Sequence, residues 1–187
     1  MNRGTGAGGS ETNHNGLEFE SRTDNIPNLE KDGYKKVMMD EKNYFYAKEY
    51  PTKFVIFLKQ FSLKKYLEKY ENIKLKELYR PDEAYIIKEK ESGKTTIKIL
   101  EKKNQNVSGS VEEKIDAAPI KKMKYKRLLP NFKIEYAFCL SGYFKNKLDT
   151  SNLFQMTYTI LNQDFDIPIF FGDDSDYFER LNEWIEN

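Results

Sequence analysis

With 187 residues, 39% of them hydrophobic and 13 Phe and 13 Tyr among them, the chain can bury one sizeable core, and its 33% charged residues then form a surface rather than a disordered coil. A net charge of +1 supplies no global pull toward nucleic acid, so any such binding has to come from local clusters. The single cysteine, Cys139, excludes an intramolecular disulfide, and the longest apolar run, Phe54 to Leu58, is far shorter than the roughly 20 residues of a membrane span, so a cytoplasmic, reducing compartment is expected.

Residues 1–12 read as a flexible arm in front of one domain over 13–187. The arm holds Gly4-Thr5-Gly6-Ala7-Gly8-Gly9, a formal G-x-G-x-x-G, but no strand precedes it, and the dinucleotide motif works only between a strand and a helix. Asn13 or Asn15 can cap a helix over Gly16 to Thr23, with Leu17 and Phe19 apolar and Glu18 and Glu20 riding on it. The lone His14 cannot support a site whose chemistry depends on several histidines. Strands are expected over Lys35 to Met39, Tyr44 to Ala47 and Lys53 to Lys59. A helix follows over Phe61 to Tyr70, where Phe61, Leu63, Tyr66, Leu67 and Tyr70 keep close to a 3.6 period.

Pro81-Asp82-Glu83-Ala84-Tyr85-Ile86-Ile87 and Thr95 to Gln105 then read as two strands of a hairpin, with Glu91-Ser92-Gly93-Lys94 supplying the turn. If Ser92-Gly93 are a two-residue loop, Ala84 opposes Glu101 and Asp82 opposes Lys103. Side chains alternate along a strand, so Asp82, Glu101, Lys103 and Gln105 project to one face while Glu83 and Lys102 project to the other. A three- or five-residue loop would exchange the faces and make Glu83 the partner of Glu101. Two carboxylates beside one ammonium suit a hard octahedral cation such as Mg²⁺, with a lysine to orient water, and the chemistry implied is phosphodiester hydrolysis.

Beyond the hairpin, Val111 to Leu129 reads as a helix interrupted at Pro119 and stopped by Pro130. Lys121, Lys122, Lys124, Lys126 and Arg127 make it the most basic segment, a candidate surface for a phosphate backbone. A strand over Lys133 to Leu140, a helix over Asn152 to Gln163, a strand over Ile167 to Phe171 and a closing amphipathic helix over Asp176 to Ile185 complete the chain. Gly172-Asp173-Asp174-Ser175-Asp176 lacks the spacing and the glutamate of an EF-hand loop and reads as helix-capping chemistry.

Three acidic-x-Lys triplets occur, at Asp40, Glu101 and Glu112, but only Glu101-Lys102-Lys103 closes a β-branched strand and faces the chain's single Pro-Asp dipeptide. Pro81-Asp82 with Glu101-Lys102-Lys103 resembles the signature of PD-(D/E)XK nucleases. Glu101 to Gln105, followed by Gly109-Ser110-Val111-Glu112, and the opening Gly6 to Gly9 and Asn15 to Glu20, are similar to small type II restriction endonucleases. The resemblance implies an α/β, restriction-endonuclease-like mixed β-sheet flanked by helices, an α-β-β-β-α-β core with a C-terminal α-β-α extension. It also implies a homodimer that cuts double-stranded DNA at a short site, with a separate DNA methyltransferase protecting the host. Asp82 and Glu101 would then hold Mg²⁺, with Mn²⁺ as substitute, and Lys103 would position the attacking water. Gln105 would support phosphate or water, and Glu20, at the Gly-x-x-Phe-Glu spacing, would complete the metal shell. A repair or recombination nuclease that reads DNA structure, and a non-catalytic DNA-binding protein of the same fold, are the rival expectations.

Overall fold

The computed structural model describes residues 10–105 and 111–187. In chain order they form α1 (Ser10–Arg22), α2 (Ile26–Lys31), β1 (Lys35–Met38), β2 (Tyr44–Glu49), β3 (Lys53–Leu58), α3 (Ser62–Tyr70), β4 (Glu83–Glu89), β5 (Thr95–Lys103), α4 (Val111–Asp116), α5 (Ala118–Leu128), β6 (Lys133–Leu140), α6 (Gly142–Thr150), α7 (Asn152–Thr159), β7 (Ile169–Phe171) and α8 (Tyr177–Glu186). The strands make one mixed sheet whose spatial order is the sequence order. From β1 to β5 it is an antiparallel meander; β6 and β7 then add in parallel, each after a helical crossover. No helix among the described residues is long and apolar enough to cross a membrane.

Alternation along the strands divides the interior into two cores. Ala84 and Ile86 of β4 and Ile97 and Ile99 of β5 pack under Leu63 and Leu67 of α3, Tyr125 of α5, Phe144 of α6 and Phe154 of α7. Tyr85 and Ile87 of β4 and Leu100 of β5 face the other way, against Phe19 of α1, Leu29 of α2 and Leu181 and Ile185 of α8. Near-continuous apolar runs in β4 and β5 are what a strand covered on both faces requires. The thiol of Cys139 is buried in the second core, where burial pushes it up to about 12, as its apolar setting in the sequence implied.

The central hairpin differs from the expected one in its turn. Lys88 pairs with Thr95, Glu89 bonds to the carbonyl of Lys94, and the loop is the four residues Lys90 to Gly93, closed by Gly93 at φ +68°. Ala84 therefore opposes Ile99 rather than Glu101. The slip is two residues, and an even slip leaves every side chain on its expected face. The result is a mixed sheet flanked by helices, the α/β class that was expected.

Other boundaries move as well. Helix α1 begins at Ser10, ahead of Asn13 and Asn15, so 10–12 of the expected arm are helical and 1–9 lie outside the described residues. Helices α2 and α6 were not foreseen, the first short and carrying Pro27 near its start, the second with little apolar periodicity. The helix over Asn152 to Gln163 is α7 continued by a π-helical turn, Ile160–Asp164. The break at Pro119 falls between α4 and α5, with Pro in the first turn of α5, where its missing N–H leaves no bond unmade.

Candidate functional site

At one end of the central hairpin, where β4 begins and β5 ends, Lys103 Nζ donates to Glu101 Oε2 at 3.0 Å, to Asp82 Oδ2 at 3.2 Å and to the carbonyl of Lys102 at 2.8 Å. Three oxygens thus converge on one cation. The residues responsible are two apart on β5 and directly across from it, which is the face-sharing that strand alternation produces. Asp82 Oδ2 also accepts the backbone N–H of Lys102 at 2.6 Å, so its carboxylate is fixed to the neighbouring strand. Glu101 is 6% exposed, whereas the side chains of Asp82 and Lys103 are each 19% exposed, so the group opens to solvent on the Asp82 side. Burial alone would depress the Lys103 ammonium, but the Glu101 and Asp82 carboxylates outweigh it and hold its pKa above the ordinary lysine value. At neutral pH this side chain is a cation and a donor; it is not a free amine.

The opposite face carries a second, fully enclosed pair. Lys102 Nζ donates to Glu83 Oε1 at 2.6 Å and to the carbonyl of Thr23 at 2.7 Å, and both side chains are essentially inaccessible. Tyr85 donates its hydroxyl to Glu83 Oε2 at 2.7 Å, and Asn25 donates to that hydroxyl. Glu83 and Lys102 therefore tie the end of α1 to the sheet, away from the solvent-facing group.

Glu20 lies on α1 near this junction. Burial raises its carboxyl above the ordinary glutamate value, and the negative charge of Asp82 raises it further. No hydrogen bond or ion pair joins Glu20 to Asp82, Glu101 or Lys103. Gln105 is buried, its backbone exchanging hydrogen bonds with the Ser141 hydroxyl, while neither atom of its side-chain amide has a hydrogen-bond partner among the described residues.

The basic residues of α5 divide. Lys121 reaches back into the site, its Nζ 3.7 Å from Glu101 Oε2. Lys122 does not face outward: it is buried, its ammonium donates to the carbonyls of Phe165 and Asp166, and it serves as a tether between α5 and the segment before β7. Its place in the expected phosphate surface is corrected accordingly. Lys124, Lys126 and Arg127 are exposed. Two residues with no signal in the sequence, Tyr125 of α5 and Tyr136 of β6, lie under the carboxylates. Burial pushes their hydroxyls far up, with the Glu101 charge as the next cause, and neither hydroxyl has a hydrogen-bond partner among the described residues.

Two carboxylates and a main-chain carbonyl are hard oxygen donors gathered round one point, and Mg²⁺ characteristically uses one or two carboxylates and keeps several waters. The donor set therefore fits such a cation, in the position the Lys103 ammonium now shares. Among the described residues no group of three or more His, Cys, Asp or Glu side chains is placed to hold a metal, so Glu20 is not gathered with the pair. Compared with protein-family models, with curated proteins and with solved structures, the chain matches none.

Proposed function

We propose that the chain is a Mg²⁺-dependent nuclease that hydrolyses phosphodiester bonds in double-stranded DNA, of the type II restriction kind that the resemblance implies. The observation that carries this reading is the convergence of Asp82, Glu101 and the Lys102 carbonyl on the Lys103 ammonium at a solvent-open strand end. In the proposed reaction Asp82 and Glu101 hold the cation, which when bound supplies charge for the developing phosphorane and a bound water of lowered pKa. Lys103, kept protonated by its two carboxylates, orients the water and stabilises the non-bridging oxygens as a donor. Lys121, within reach of Glu101, approaches the same phosphate, while Lys124, Lys126 and Arg127 hold neighbouring phosphates along α5. Gln105 offers its unpaired amide to phosphate or water, and Glu20 joins through an intervening water. A restriction-endonuclease-like arrangement and a homodimer that cuts a symmetric site belong to the same proposal.

The test is incubation of the protein with a long mixed-sequence DNA and Mg²⁺. Discrete fragments are expected, with loss of several powers of ten in rate for Glu101→Ala, Asp82→Asn and Lys103→Ala, each checked for retained fold by circular dichroism. Equal activity of wild type and Glu101→Ala, including none in either, would overturn the reading. Substitution of Glu83, on the closed face, is expected to act on stability instead.

A further inference from the structure

A cleft of about 390 Å³ is lined by Glu77, Leu78 and Tyr79 from the segment before β4 and by Lys124, Arg127 and Leu128 from α5. Its lining is mostly apolar, with Leu78, Leu128 and the tyrosine ring as walls, and Lys124, Arg127 and Glu77 supply its charged groups. Tyr79 and Leu128 are among the exposed large hydrophobics. Lys124 stands 5.7 Å from the centre of the Tyr79 ring, and neither Lys124 nor Arg127 has a salt bridge among the described residues. The volume falls in the range of small-ligand sites, and an aromatic wall flanked by unpaired cations is the chemistry that receives a planar base joined to phosphates.

Both walls are tethered to the site. Tyr79 precedes Asp82 by three residues, at most about 10 Å of extended chain. On the other wall, Lys124 follows Lys121, the residue that reaches Glu101, by one helical turn, about 4.5 Å along α5, and Arg127 follows by about 9 Å. The Tyr79 ring packs 5.7 Å from Tyr125, and Tyr125 packs 6.4 Å from Tyr136, so a continuous run of rings joins the cleft to the floor under Glu101. A nucleotide beside the scissile phosphate is the group that could span this interval.

We infer that the cleft between Tyr79 and α5 holds an unpaired nucleobase of the DNA strand being cut, stacked on Tyr79, with Lys124 and Arg127 on the phosphates that flank it. The inference rests on the nuclease reading and refines its substrate to DNA with a base out of the stack next to the cut. A base paired inside a duplex presents its edge, not its face, and cannot stack on a side chain without leaving the helix. Glu77 at the rim supplies an acceptor for an exocyclic amino group.

The experiment uses the full chain in EDTA, so that binding alone is read. Two DNA hairpins carry a single 2-aminopurine, unpaired in one and paired opposite thymine in the other. Binding of the unpaired probe is expected to quench its fluorescence, and Tyr79→Ala to abolish the quenching and weaken binding roughly five- to a hundredfold, while Tyr79→Phe retains both. Equal behaviour of the paired and unpaired probes, unchanged quenching in Tyr79→Ala, or no binding of either hairpin would overturn the inference. The two readings fail separately. Quenching that depends on Tyr79 in a protein inert toward DNA with Mg²⁺ would keep the base site and remove the cleavage; cleavage with quenching indifferent to Tyr79 would do the reverse.

Discussion

Three neighbouring residues of β5 show how much a single strand can separate. Glu101 and Lys103 turn to the solvent-open group with Asp82, while Lys102 between them is driven through to the closed face and Glu83. The separation of Lys102 from Glu101 and Lys103 was legible in the sequence because it depends only on the two-residue period, whereas the choice of Asp82 over Glu83 rested on the parity of the turn. What was not legible is the use to which Lys102 is put, because its acceptor, the Thr23 carbonyl, comes from a turn far away in sequence. A buried pair of this kind costs most when one member is removed and the other is left charged. Lys102→Met is accordingly expected to destabilise the protein by about 3–5 kcal/mol in urea unfolding, with a large part recovered when Glu83→Leu is added. A loss below about 1 kcal/mol for the single substitution would mean that the pair is not desolvated as described. The inward turn of Lys122 escaped sequence reading for a related reason. Pro119 resets the phase of α5, and the lysines surround the helix so completely that no apolar stripe says which of them points in.

At the scale of elements, the extended segments announced themselves through β-branched and aromatic runs, and β6 over Lys133 to Leu140 matches its expected bounds. The hairpin turn did not, because Ser92-Gly93 fits a two-residue loop by composition, while the chain uses Gly93 as the last of four loop residues. Helix α6 was missed because Tyr143, Phe144 and Leu148 are too few apolar positions in nine residues to set a period. The parallel join of β5 and β6 carries an ion pair of its own at the end remote from Asp82. Lys98 and Glu135 are register partners, their charged atoms 3.0 Å apart, and Lys133 adds a second cation at 2.6 Å. Burial alone would lift the Glu135 carboxyl, but hydrogen bonds from Lys133 and Lys98 outweigh it and hold it below its ordinary 4.5; burial leaves Lys98 lowered in spite of its partner. A carboxylate depressed in the folded state stabilises above its unfolded pKa, and that contribution is lost as pH falls through the folded value. Glu135→Gln should therefore melt below wild type at pH 7, and the two should converge in acid from pH 4.5 downward. A gap in melting temperature that stays constant across that window would exclude the linkage.

For the molecule as a whole, a net charge of +1 means that the DNA binding proposed above would have to be local. The exposed cations of α5 are Lys124, Lys126 and Arg127, so under the proposed function few phosphates would be neutralised there. The logarithm of the binding constant is expected to fall with the logarithm of salt at a slope of about −3 from this surface, and Lys126→Gln to reduce it by about one, in a fluorescence-anisotropy titration. An unchanged slope would take α5 out of the interface. The layered architecture, a sheet with a core on each face, was foreseeable from patterning alone, since runs such as Ala84 to Ile87 have to be covered on both sides. The position of Lys121 against Glu101 was not, because it depends on how a crossover helix lands on the sheet.

Asp82, Glu101 and Lys103 all come from one uninterrupted piece of chain, residues 82–103, whereas Glu20, Lys121 and Tyr125 are brought in from elsewhere. The acidic pair and its lysine could be lifted as a cassette and grafted into another sheet, and their mutual geometry would travel with them. What would stay behind is everything that makes the cassette hold its shape. A lone two-stranded ribbon is at best marginal in water, and this one carries the buried charge of Glu83 and Lys102 on its reverse side. A host scaffold would have to cover that pair and replace the Thr23 carbonyl as the lysine's second acceptor before it inherited any chemistry.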